Sequence, residues 1–181
     1  MLFVDAAHFV MGAFLGMLWC LVRILLPSAS GRKRYNVLGA YDPLTHRAIT
    51  VTNDTYINHL VFCEFLETIK AVYANTGLPI TLILDNAKYQ KCAAVAEKAE
   101  ALGITLLYLP PYSPNLNLIE RLWRFVKKEV LYSTYYEKFE TFKKSIDTCI
   151  AELGTSFKSK METLMTLNFQ LFSAKTENMA A

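Results

Sequence analysis

The chain has 181 residues, 53% apolar and 13% aromatic, which excludes a disordered segment and suits one domain with a sizeable core. A formal net charge of +3 and a pI near 8.6 permit a nucleic-acid partner without demanding one. The four cysteines, Cys20, Cys63, Cys92 and Cys149, contain no C-x-x-C pair, which argues against a zinc site or a disulfide framework and fits a reducing cytoplasm.

Residues 1–9 read as a short strand that closes at Asp5. Residues 9–26 are nearly all apolar, and periodicity alone does not assign them. A membrane span is one reading of that run. Against it, the residues ahead carry Asp5 and His8 but no Lys or Arg, and Gly12, Gly16 and Arg23 interrupt it, so no membrane association is expected. Arg32, Lys33 and Arg34 form a basic cluster in the loop that follows.

Residues 35–41 and 47–52 read as two strands joined by the turn chemistry of Asp42-Pro43-Leu44-Thr45, hence a hairpin. Asp54 suits an N-cap, and Ile57, Leu60, Val61, Phe65, Ile69 and Val72 then recur at helical spacing. Asn75-Thr76-Gly77 stops that helix. Residues 80–84 are a buried strand, 91–102 an alanine-rich helix ended by Gly103, and 104–109 another apolar strand stopped by Pro110-Pro111. A helix over 117–131 turns Ile119, Leu122, Trp123, Val126 and Val130 inward. A further helix covers 139–153, with Phe139, Phe142, Ile146 and Ile150 inward, and a last helical stretch covers 156–166. From Ser173 the chain is polar and reads as a frayed tail.

This order predicts an α/β fold. The strand–helix–strand–helix–strand run requires parallel pairing with right-handed crossovers, and the early hairpin adds antiparallel strands. A mixed sheet with helices on both faces results, and its functional residues should gather at the carboxyl ends of strands.

Three carboxylates stand where chemistry is expected. Asp5 and Asp85 each close an apolar run, and a carboxylate at the end of a buried strand is costly unless paired or bound to a cation. In the strand at 80–84, Ile80, Leu82 and Leu84 share one face, with Ile83 and Asp85 on the other. The bland alternative for Asp85 is a turn residue, since Asp-Asn is common turn chemistry. For Asp5 the alternative is a solvated strand end. Glu120 begins a helix, and its alternative is a capping glutamate at capping-box spacing from Asn117, with Arg124 as an i,i+4 partner. If the three converge, they offer the hard oxygen ligands that a divalent metal takes.

The text around these residues is more specific than the carboxylates alone. Phe3-Val4-Asp5-Ala6-Ala7-His8-Phe9, Leu84-Asp85-Asn86-Ala87-Lys88-Tyr89-Gln90 and Tyr112-Ser113-Pro114-Asn115-Leu116-Asn117-Leu118-Ile119-Glu120-Arg121-Leu122-Trp123 occur in this order, with 34 residues between Asp85 and Glu120. Together they resemble the catalytic motifs of bacterial insertion-sequence transposases related to mariner elements, the DDE superfamily endonucleases. The similarity spans about residues 1–150.

The resemblance implies a ribonuclease H-like sheet of about five strands in the order 3-2-1-4-5. It implies Mg²⁺-dependent (or Mn²⁺-dependent) DNA cleavage and strand transfer during transposition, with Asp5, Asp85 and Glu120 holding two ions and acting as the catalytic residues. His8 and Asn86 would support those ligands. Arg32, Lys33, Arg34, Lys88, Lys91, Arg124, Lys127 and Lys128 could meet DNA phosphates, a solvated charged face being the alternative for each. Tyr112 and Trp123 could stack on a base, although the helical register of Trp123 suits the core.

The partners implied are DNA, as transposon ends and target, and further copies of the chain in a homodimer or larger assembly. The expected location is the cytoplasm, on the nucleoid. Residues 1–153 would form the catalytic domain and 154–181 a helical extension and tail. The helix-turn-helix domains that precede the catalytic domain in this group are not found ahead of Asp5, which leaves room for a separately encoded DNA-binding subunit. Three rival readings stay open: an idle remnant that only binds DNA or a partner, a ribonuclease H, and a small membrane-associated protein.

Overall fold

In the computed structural model, residues 1–12, 33–111, 113–132 and 134–169 are described. The strands are β1 (Leu2–Val10), β2 (Arg34–Asp42), β3 (Arg47–Asn53), β4 (Ile80–Leu84) and β5 (Ile104–Tyr108). The helices are α1 (His59–Val72), α2 (Ala93–Ala101), α3 (Ile119–Val130), α4 (Phe139–Ala151) and α5 (Lys158–Leu164). The five strands form one sheet in the order β3-β2-β1-β4-β5. β1 is antiparallel to β2 and parallel to β4, so the sheet changes sense at its central strand. β3 extends the antiparallel side and β5 the parallel side.

Alternation along the strands divides the core in two. Leu2 and Val4 of β1, with Leu38, Ala40, Ile80, Leu82 and Leu84, pack under α1 and α2. Phe3, Ala7 and Phe9 of β1, with Val37, Tyr41 and Ile83, pack under α3 and α4, and Met161 of α5 belongs to the same cluster. The parity expected for β4 therefore holds, with Ile83 facing away from Ile80, Leu82 and Leu84.

Local details differ from the expectations in instructive ways. β1 does not close at Asp5 but runs on to Val10, because β2 pairs with it from Phe3, opposite Tyr41, to Val10, opposite Arg34. Pairing to β4 is confined to Leu2–Leu82 and Phe3–Ile83. Asp5 thus lies mid-strand, just past the point where the parallel partner departs. The hairpin turn forms as expected: Asp42 accepts hydrogen bonds from the Leu44 amide at 2.9 Å and the Thr45 hydroxyl at 2.9 Å.

The N-cap of α1 is Asn58, whose side chain accepts from the Val61 amide at 3.0 Å. Asp54 lies too far upstream to cap and faces Lys143 of α4 instead, at 3.3 Å. The buried stripe of α1 is Phe62, Phe65, Leu66 and Ile69, while Leu60 and Val72 are exposed. Four inward residues at i, i+3, i+4 and i+7 define the seam on the sheet, and Leu60 and Val72 fall off it. Asn58→Ala should cost about 1 kcal/mol in urea unfolding, and Asp54→Ala under about half that, as a cap differs from a half-exposed ion pair.

Most of the apolar run at 9–26 lies outside the described residues, as do Cys20 and Arg32. Among the described residues no helix is long and apolar enough to cross a membrane.

Candidate active site

Asp5 lies within the electrostatic reach of both Asp85 and Glu120. Asp5 projects from the centre of β1 towards α3, on the face of Phe3 and Ala7. Asp85 follows β4 directly and is exposed. Glu120 is the second residue of α3 and is half-buried.

Their grouping is written in the acidity of Asp5. Its carboxyl is pushed up from 3.8 to about 7, first by burial, then by the negative charges of Glu120 and of Asp85. The Ala6 amide and the Trp123 indole act in the opposite direction. A half-buried carboxylate that stands in the field of two others is the kind of group a bound cation would relieve. Among the described residues, however, no three His, Cys, Asp or Glu side chains are close enough to make a ready-made metal cage. The two observations agree if the carboxylates share an electrostatic neighbourhood without closing into a cage. All three would offer only oxygen, which suits Mg²⁺ or Mn²⁺ and not a metal that prefers sulfur or nitrogen.

The loop after β4 is built by its own sequence. Asn86 takes a left-handed backbone, φ +76°, a conformation that Asn tolerates better than most residues. Its side-chain amide donates to the Leu109 carbonyl, and the Leu109 amide donates to the Leu84 carbonyl at 2.8 Å. Gln90, fully buried, accepts from the Ala87 amide at 3.1 Å. These bonds fix the chain on either side of Asp85, so the role of Asn86 is to shape the turn that presents it. Tyr89 lies within the field of both Asp85 and Asp5, which, after burial, holds its hydroxyl above its usual range.

The entry to α3 is tied to β1. Asn117 does not cap the helix. It is buried, and its side-chain amide donates to the Val4 carbonyl at 3.0 Å, one residue before Asp5. The N-cap position falls to Leu118. Among the described residues Glu120 forms no ion pair with Arg124, so neither bland role expected for it is realised. Arg121 is spent on structure: its guanidinium donates to the carbonyls of Thr166 at 2.8 Å and Asn168 at 3.0 Å.

The remaining candidates are scattered. His8 alternates onto the face opposite Asp5 and bonds Asn36 at 2.7 Å, so the structure does not bring it to the carboxylates. Lys33 lies over the Phe139 ring, Lys91 over Tyr108 and Lys127 over Phe9. Arg34 opens β2 opposite Val10, and Lys88 is exposed in the turn after Asp85. Arg124 and Lys128 line a cavity of about 870 Å³ between α3 and α5. Tyr112 lies outside the described residues.

One pairing escaped the sequence reading. Gly39 of β2 is directly opposite Asp5, and the Trp123 ring lies on it: a Cβ at Gly39 would be 2.7 Å from that ring. A glycine inside a strand is the signal that such a close approach leaves.

The family model for DDE superfamily endonucleases matches residues 22–143, a stretch that includes Asp85 and Glu120 and begins after Asp5. The chain belongs to this family. The solved structures it resembles include the Mos1 transposase paired-end complex with left transposon end, at 16% identity and a TM-score of 0.66, covering 90% of this chain and 52% of that one. The Mos1 transposase catalytic domain with Raltegravir and Mg matches at 14% identity and a TM-score of 0.58, covering 92% and 85%. A simian T-cell lymphotropic virus intasome matches at 13% identity and a TM-score of 0.51, covering 82% and 46%. At these identities the likeness establishes the fold, which is that of transposase catalytic domains of the ribonuclease H-like type. This chain spans about half the length of the Mos1 chains in the paired-end complexes. Among curated proteins no match is found.

Proposed function

We propose that this chain is the catalytic domain of a transposase, cutting DNA strands and joining them by in-line phosphoryl transfer, with Asp5, Asp85 and Glu120 as the metal-holding catalytic residues. The observation that carries this reading is the placing of the half-buried Asp5 in the field of both Glu120 and Asp85. Membership of the DDE endonuclease family supports it. A bound pair of Mg²⁺ or Mn²⁺ ions would supply Lewis-acid stabilisation of the attacking and leaving oxygens. The chain's own part is positional. β1 and β4 hold Asp5 and Asp85 on adjacent strands, the Asn86 turn presents Asp85, and the Asn117–Val4 bond sets the start of α3 and with it Glu120.

The catalytic unit would comprise residues 1–153, with 154–181 as a helical extension and tail. The partners proposed are DNA, as transposon ends and target, and further copies of the chain, with a separately encoded helix-turn-helix subunit as a third. Lys33, Arg34, Lys88, Lys91, Arg124, Lys127 and Lys128 are proposed to meet the DNA phosphates. A location on the nucleoid would follow from that chemistry.

The test is a calorimetric Mn²⁺ titration at neutral pH of the wild type and of Asp85→Ala, joined to a plasmid-nicking assay with Mn²⁺. Binding and nicking by the wild type alone are expected. No nicking by either protein would assign the chain to an idle, binding-only role, and equal nicking by both would remove Asp85 from the chemistry.

A further inference from the structure

We propose that Trp123 is a positioning residue for Asp5: seated on Gly39, it directs its indole N–H at the Asp5 carboxylate and orients it for a metal ion. The inference rests on the reading of Asp5 as a metal ligand. It begins from an unsatisfied group. Trp123 is 2% exposed, and its indole nitrogen is buried without a hydrogen-bond partner among the described residues. A buried donor without an acceptor carries a cost that packing alone does not explain. An indole can only donate, so the group it serves must be an acceptor.

The register names that acceptor. Asp5 pairs with Gly39 across β1 and β2, and the two residues share the face under α3. The absence of a side chain at Gly39 is what lets the ring settle there, 2.7 and 2.8 Å from where a Cβ would be. Phe9 meets the ring edge-on at 6.2 Å, and Ile119 closes on the same glycine, so the ring is held on several sides. From that seat the N–H meets no acceptor in hydrogen-bonding geometry among the described residues, and the register puts Asp5 beside the glycine that the ring covers. A small shift of the Asp5 carboxylate would complete the bond. Metal-ligating carboxylates are commonly fixed in this way by a donor behind them, and loss of such a donor typically weakens metal binding about tenfold or more.

A purely structural tryptophan and a positioning one differ in what Trp123→Phe does. Phenylalanine keeps most of the ring on Gly39 and removes the N–H. In the full chain at pH 7.5, Mn²⁺ titrations of wild type, Trp123→Phe and Asp5→Asn should give binding, binding about tenfold weaker, and none. A second measurement leaves Trp123 intact. With Trp19→Phe, Trp123 is the sole tryptophan, and bound paramagnetic Mn²⁺ should quench its fluorescence with the same midpoint as the calorimetry. Unchanged affinity in a folded Trp123→Phe, or Mn²⁺ binding without quenching in the Trp19→Phe chain, overturns the positioning role and leaves Asp5 as a ligand. Wild-type affinity in Asp5→Asn, or no binding by the wild type, overturns both.

Discussion

Asp5→Asn should abolish metal-dependent DNA cleavage and, in the same protein, raise the stability of the metal-free fold at pH 8. The loss of activity should reach at least about a thousandfold, the scale on which removing a metal-holding charge from a phosphoryl-transfer site acts. The gain in stability follows from proton linkage. The Asp5 carboxyl titrates near 7 in the fold, against an ordinary value of 3.8. Below about pH 4 it is protonated whether the chain is folded or not, and stability is at its full value. Between about pH 4 and 7 the folded chain keeps a proton that the unfolded chain has released, so stability falls as pH rises. Above pH 7 the fold carries the whole cost of the buried charge, on the order of a few kcal/mol. Asparagine matches the protonated acid in shape and never ionises, so it removes this dependence. In EDTA, the wild-type melting temperature should fall from pH 5 to pH 8, and that of Asp5→Asn should lose this component, leaving the variant about 5 °C or more higher at pH 8. Added Mn²⁺ should then stabilise the wild type and not the variant. Parallel melting curves for the two proteins across this range would count against a strained carboxylate at Asp5.

Phe142→Ala is expected to be strongly destabilising, at about 3–5 kcal/mol. Phe142 is 1% exposed on the inner face of α4. Phe139 stacks on it at 5.8 Å and Tyr136 meets it edge-on at 5.5 Å. Truncation would leave a cavity that two neighbouring rings, each fixed by further contacts, cannot refill. Tyr136 is itself anchored through its hydroxyl to the Val130 carbonyl at 2.7 Å. Urea unfolding of Phe142→Ala beside the exposed control Tyr135→Ala should separate the two by most of that figure. A difference under about 1 kcal/mol would mean that α4 is only loosely attached to the sheet.

The sequence makes the sheet legible where the information is local. The alternation in β4, the turn at Asp42 and the stop at Gly103, with its φ of +66°, all follow from neighbouring residues. The strand order and the meaning of the three motifs came from family resemblance, which carries long-range information that periodicity does not. The errors share a physical cause. Whether β1 ends at Asp5 depends on how far β2 accompanies it. Whether Asp54 or Asn58 caps α1 depends on where the helix must start to place Phe62 on the sheet. Asn117 and Glu120 have the spacing of a cap, yet the Asn117 amide finds a better partner in the Val4 carbonyl, far away in sequence. Gly39 and Trp123 could not be paired without the fold. At the site, the motifs single out the three carboxylates as candidates, while the burial that raises Asp5 and the parity that turns His8 away belong to the folded sheet.

The central position of β1 also sets a schedule. Leu2 cannot find Leu82, nor Phe3 Ile83, until the chain has been made through β4, and the Asn117 side chain reaches Val4 only after β5 is in place. Contacts this distant in sequence form late, after the entropy of closing the intervening loop has been overcome. Asp5, Asp85 and Glu120 therefore remain three separate acids on a growing ribosome-bound chain. Whatever they do together, they begin to do it only when the last of these elements has docked.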